Sequence, residues 1–154
     1  MTTTTNIAPV EKTVTVAATP DRAFDLFTTG MNSWWPGHRH SVSAGQGATP
    51  QKMVFEAEDG GAVYEILPDG SRADWGVVTV WEPGRRFAMT WHPGESGAVT
   101  TKVEVRFAAV DEGCRVTLVH SGWDALGEAG AARRGGYDGG WIKVLDDFRT
   151  ALAA

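Results

Sequence analysis

Few residues in this chain have the type and setting to do chemistry, and most stand alone. His120 is the first of them. It follows Cys114, Val116 and Leu118 at alternate positions and so shares their face. A histidine there reads either as a satisfied side chain at a strand end or as a ligand hydrogen bond or general acid/base. Asp74 and Tyr64 are its natural partners in the second reading, although no spacing fixes them within reach. His38 and His40 sit two apart in a loop without a cysteine or carboxylate beside them, a poor metal pair. Ser43 and Ser121 have no identifiable activating base, and Asp146-Asp147 fall on a polar helix face. No GxSxG, Walker-type loop, HExxH or Rossmann glycine pattern occurs. The lone Cys114 reads as a small buried filler. Nothing here implies a metal or a cofactor.

Any site must therefore be built by the elements around these residues. Tyr137, Trp141, Leu145, Phe148 and Leu152 recur at helical period, which predicts a helix over 137–152, about 24 Å long at 1.5 Å per residue. Asp138 is the expected N-cap, and Gly139 and Gly140 allow a close approach. A first strand alternates at Val10, Val14 and Val16, with Lys12 marking an exposed end. Thr19-Pro20 opens a short helix with Phe24 and Phe27 on its buried side and Gly30 at its close. Residues 41–50 read as loop. Six more alternating runs follow, joined by turns at Asp59-Gly60-Gly61, Pro68-Asp69-Gly70-Ser71, Pro83-Gly84 and Asp111-Glu112-Gly113. In the run 74–81 both faces are apolar, so its inward face is open. Residues 121–136 read as a Gly- and Ala-rich connection with a short helix near 128–134. The adjacent Trp34 and Trp35 are expected to divide, one packing inward and one lidding a cleft or lying on the surface.

The whole predicts an α+β fold: a curved antiparallel sheet of about seven strands wrapped around the C-terminal helix. A length of 154 residues fits one domain over 9–154 with residues 1–8 a disordered lead. The net charge of −5, with no element concentrating Lys and Arg, argues against nucleic acid. No run reaches the length of a membrane span and the start carries no apolar signal core. One cysteine fits a reducing cytoplasm. Seven tryptophans are the compositional oddity, and side chains of that size suit the wall of a pocket.

An ordered series of motifs carries a family resemblance: Val14 to Phe27, Trp34-Trp35-Pro36, Gly60-Gly61 with Tyr64, Asp69-Gly70 and Asp74-Trp75-Gly76-Val77-Val78. It continues through Trp81-Glu82-Pro83, Phe87 with Trp91, Val119 to Trp123, and Gly140-Trp141 with Leu145. Over about residues 10–152 the chain resembles the START-like, or SRPBCC, helix-grip superfamily. Within it, the chain is similar to homologues of the activator of the heat-shock-protein-ninety ATPase. That superfamily includes lipid carriers, polyketide cyclases, hormone receptors and plant allergens, so the resemblance implies a fold with an apolar cavity and leaves the activity open.

The expected ligand-binding residues are Trp35, Trp75, Trp91, Val103, Leu118, His120, Tyr137, Trp141 and Leu145. The leading expectation is a small hydrophobic or aromatic molecule held between sheet and final helix. Two others stand beside it: a cyclase- or aromatase-type enzyme with His120 moving a proton, and a chaperone-linked module binding a protein partner.

Overall fold

The computed structural model describes residues 7–95, 97 and 99–153. The expectation for the first six residues lies outside them. Seven strands form one antiparallel sheet: β1 (Val10–Val16), β2 (Lys52–Phe55), β3 (Ala62–Ile66), β4 (Arg72–Glu82), β5 (Arg86–Trp91), β6 (Thr101–Val110) and β7 (Gly113–Ser121). Their order is β1-β7-β6-β5-β4-β3-β2. Strands β2 to β7 are a meander, and β1 closes the far edge by pairing with β7, Val10 opposite His120 and Val16 opposite Cys114. Period-2 burial is clearest in β6, where Val103, Val105 and Phe107 are buried and Lys102 and Arg106 exposed, whereas β5 buries Phe87, Ala88 and Met89 in succession.

Strand β4 answers the question its sequence left open. Ala73, Trp75 and Val78 are all buried and Trp81 partly so, although strict alternation cannot turn 75, 78 and 81 the same way. The pairing slips twice: Val63 and Tyr64 of β3 oppose Gly76 and Asp74, and Val78 and Val80 oppose Met89 and Ala88. Each bulge inserts one residue and reverses the facing, so both tryptophans point to the concave side. Gly76 is required there, because a Cβ would lie 1.8 Å from the Thr90 carbonyl oxygen.

Helix α1 (Pro20–Phe27) starts as its sequence predicts, with the Thr19 hydroxyl accepting from the Arg22 amide. Two short turns follow, α2 (Met31–Trp34) and α3 (Val42–Gly45). The second corrects the expectation of plain loop over 41–50 and is capped by Ser41. The final helix α4 spans Gly130–Ala153, 24 residues, and a tight turn kinked at Gly127 covers Trp123–Ala129 before it. It therefore starts seven residues before Tyr137, because its packing on β1 overrides five weak helix-formers, Gly130, Gly135, Gly136, Gly139 and Gly140. Asp138 is consequently mid-helix rather than a cap, and its carboxylate pairs with Lys12 Nζ at 2.7 Å. That contact also corrects Lys12: it is half-buried under α4, not a sign of an exposed strand end.

Candidate functional site

Between α4, the ends of β4 and β5, and the segment carrying α3 lies a partly open cavity of about 730 Å³. Trp35, Trp75, Trp91, Tyr137 and Trp141, five of the nine residues expected from sequence, line it together with Val144. Val103, Leu118, His120 and Leu145 do not line it. They are buried behind the wall at 0–3% exposure. Trp34 and Trp35 are both buried, so neither lies on the surface, and of the expected division the cleft alternative is the one Trp35 meets, since it lines the cavity and Trp34 does not. Trp34 ends α2 and turns toward Phe27 and Phe148, whereas Trp35 turns toward Trp75, Trp91 and Trp141.

The indole N–H groups explain how the wall holds its shape. An indole can only donate, and when buried it needs an acceptor. Trp35 Nε1 donates to the His40 carbonyl at 2.7 Å, Trp75 Nε1 to Glu65 Oε1 at 2.8 Å, and Trp91 Nε1 to the Tyr137 hydroxyl at 3.0 Å. Trp141 Nε1 donates to His120 Nδ1, also at 3.0 Å. Every cavity tryptophan has thus spent its polar atom on the protein, so each offers the cavity an apolar ring surface in a fixed orientation.

His120 is the centre of this bonding, one layer behind the cavity. Because Trp141 donates to Nδ1, that nitrogen carries a lone pair and the proton of the neutral ring is on Nε2. Nε2–H then donates to Thr101 Oγ1 at 2.7 Å, and Thr101 Oγ1 donates to the Trp91 carbonyl at 3.1 Å. Trp123 packs over the ring at 4.1 Å between centroids and donates to the His120 carbonyl. Burial pushes the imidazole down to about 3, so it is neutral at physiological pH. Both ring nitrogens are occupied and neither faces the cavity. Asp74 and Tyr64 are not its partners: Asp74 pairs with Arg72, whose guanidinium lies over the Tyr64 ring.

Glu65, whose role the sequence hid, holds the segment over the cavity. Its carboxylate is fully buried and accepts four hydrogen bonds: from the Val42 and Ser43 amides, the Ser43 hydroxyl and Trp75 Nε1. One buried charge thereby ties α3 and the Trp75 wall to β3.

The remaining lining mixes small and apolar residues of the α3 segment and the β5–β6 loop, such as Val42, Ala44 and Pro93, with polar ones read as solvated or loop: Arg39, His40, Ser41, Glu95 and Arg133. Gly136 and Gly140 line it as well. The helical stripe, continued one turn back from Tyr137, reaches Arg133, which was the available signal. Gly136 and Gly140 sit one residue before Tyr137 and Trp141, and a Cβ at Gly136 would meet nothing within 4 Å. Arg133 pairs with Glu95 at 3.1 Å, joining α4 to the β5–β6 loop. Among the described residues His40 Nε2 is buried without a partner; burial, then Lys143 and Arg39, lower the pKa of the ring. Burial raises the Tyr137 pKa, so its hydroxyl keeps its proton while accepting from Trp91. Among the described residues no three His, Cys, Asp or Glu side chains converge as a metal site.

A twisted seven-stranded sheet gripping a long C-terminal helix, with aromatic residues between them, defines the helix-grip class. The sequence matches the model for the Activator of Hsp90 ATPase homolog 1-like proteins over residues 17–153, and the chain belongs to that family. No curated protein matches the sequence. Among solved structures, the Aha1 dimer from Colwellia psychrerythraea superposes with a TM-score of 0.69 at 15% identity, covering 95% of this chain and 96% of that one. Protein MLL2253 from Mesorhizobium loti gives 0.68 at 16%, covering 94% and 96%. DynU16, from the dynemicin biosynthetic locus, gives 0.70 at 19%, covering 96% of this chain but 48% of its own. These likenesses establish the shared fold.

Proposed function

We propose that this protein binds a small hydrophobic or aromatic molecule in the cavity between sheet and C-terminal helix. One observation carries the reading: four tryptophans and a tyrosine line a cavity of about 730 Å³ with every indole N–H already bonded to protein. A core that needed only to be filled has no use for such a space, since interiors pack to crystal-like density. Burying ~200 Å² of apolar ligand surface at roughly 25 cal/mol per Å² gives about 5 kcal/mol. Association costs of ~4 kcal/mol or more offset most of that, leaving orientation and residual affinity to a few polar contacts.

The enzyme alternative with His120 as acid/base is disfavoured by its two occupied nitrogens and its place behind the wall. The chaperone-linked alternative draws its support from family membership, and its test is a protein-capture experiment. The single buried thiol, Cys114, fits a cytoplasmic setting.

Tryptophan-fluorescence titration and native mass spectrometry with a lipophilic and aromatic panel test the reading. Saturable one-to-one binding is expected, abolished by Gly136→Leu, whose side chain is aimed at open space rather than at packed neighbours. A clean empty mass and no response across the panel refute the proposal.

A further inference from the structure

The lining polar groups differ in what they have left to offer. Ser41 is spent, donating to the Gly37 carbonyl and accepting from the Ala44 amide. Glu95 is engaged by Arg133. Tyr137 accepts from Trp91, and among the described residues its own O–H has no acceptor. Among the described residues the Arg39 side chain makes one hydrogen bond, from Nε to His38 Nε2, and meets no carboxylate, which leaves its charge and four further N–H donors for a ligand. Lys143 and Arg39 both act on His40, with Asp147 opposing them, so that side of the cavity is electropositive. Among the described lining side chains the free donors of Arg39 and Tyr137 outnumber the one unpartnered ring nitrogen, His40 Nε2, and the uncompensated charge is positive.

We propose that the occupant is an organic anion: a flat apolar body between the indole faces, with a carboxylate-type oxygen held by Arg39 and the Tyr137 hydroxyl. This rests on the ligand-binding reading above and narrows it. The rival is a cation, since stacked aromatic rings attract cations through their faces. Two features oppose the rival. Arg39 and Arg133 both line the cavity, and Glu95, the one lining carboxylate among the described residues, is already paired. A guanidinium also matches a carboxylate by two parallel hydrogen bonds, which no group in the cavity offers a cation.

Three ligands on one ring frame separate these outcomes by calorimetry: naphthalene-2-carboxylate, naphthalene-2-carboxamide and 2-naphthylmethylammonium. The carboxylate is expected to bind roughly tenfold more tightly than the ammonium, with the amide between them. Arg39→Gln, an exposed substitution that leaves the core untouched, should remove most of that advantage while leaving the amide within about twofold. Ammonium binding equal to or tighter than carboxylate overturns the anion proposal and leaves the cavity reading standing, as does an Arg39→Gln variant with unchanged carboxylate preference. Failure of all three ligands to bind removes the cavity reading and the anion proposal together.

Discussion

The two ends of the grip are built from different aromatics, and the difference separates core from wall. All six phenylalanines, Phe24, Phe27, Phe55, Phe87, Phe107 and Phe148, form one ring cluster with Trp34 and Trp81 at the α1 end. Trp35, Trp75, Trp91, Trp123, Trp141, Tyr137 and His120 form another beneath the start of α4. Among the described residues the Trp34–Trp35 contact, at 5.5 Å, is the one ring pair joining them. Phenylalanine has no polar atom to satisfy, so its rings rotate and slide until space is filled. Tryptophan must also satisfy its N–H, and each bond fixes a ring at an angle that packing alone would not select. Rings pinned in this way can stand around a space without collapsing into it.

The contrast can be broken from either side. Phe27→Ala should cost about 3–5 kcal/mol in urea or thermal unfolding, because it opens a void among rings with no other role. Ligand affinity in the surviving fold should change by less than twofold. The second test uses pH. The unfolded His120 titrates near 6.5 and the folded one at about 3, so between these values the unfolded chain holds a proton that the native one does not. The His120 contribution is complete above pH 6.5 and falls as pH drops toward 3, by up to about 1.4 kcal/mol per unit. His120→Gln can accept from Trp141 and donate to Thr101 without titrating. Denaturation of wild type and variant between pH 7 and 4.5 should therefore show a shallower loss in the variant, and parallel curves would deny His120 this role.

Glu65→Gln comes next, at roughly 1–3 kcal/mol, because an amide NH₂ would face donors. Proteolysis within 41–45 should quicken, showing that the charge holds this segment down. The smallest effect is expected at Gly139→Ala, a gain of about 0.5–1 kcal/mol, since its Cβ meets nothing and helix entropy alone changes. Unchanged or lowered stability there would mean that the glycine serves a contact in the native state.

The sheet was legible because period-2 burial survives in single strands, and Thr19-Pro20 announced α1 without tertiary help. The aromatic half of the cavity was legible too: Trp35, Trp75, Trp91, Tyr137 and Trp141 stand out by size and phase. What stayed hidden depends on partners distant in sequence. Glu65 alternates like any exposed strand carboxylate, and its donors lie 22–23 residues upstream on backbone amides and 10 downstream on an indole. Arg39 and His40 belong to a loop with no period to phase them. The bulges of β4 left no sequence mark beyond Gly76, and the start of α4 was masked by glycines that ordinarily end helices.

Those glycines have a dynamic consequence. Five of the first eleven residues of α4 are glycine, each worth up to about 1 kcal/mol less helix stability than alanine, while the half beyond Trp141 has none. The amides of 131–140 should therefore exchange with solvent well before those of 142–152, with the sheet still intact. If the cavity takes the ligand proposed for it, the expected way in is by fraying the glycine-rich end of α4 while its other end stays packed against the phenylalanines.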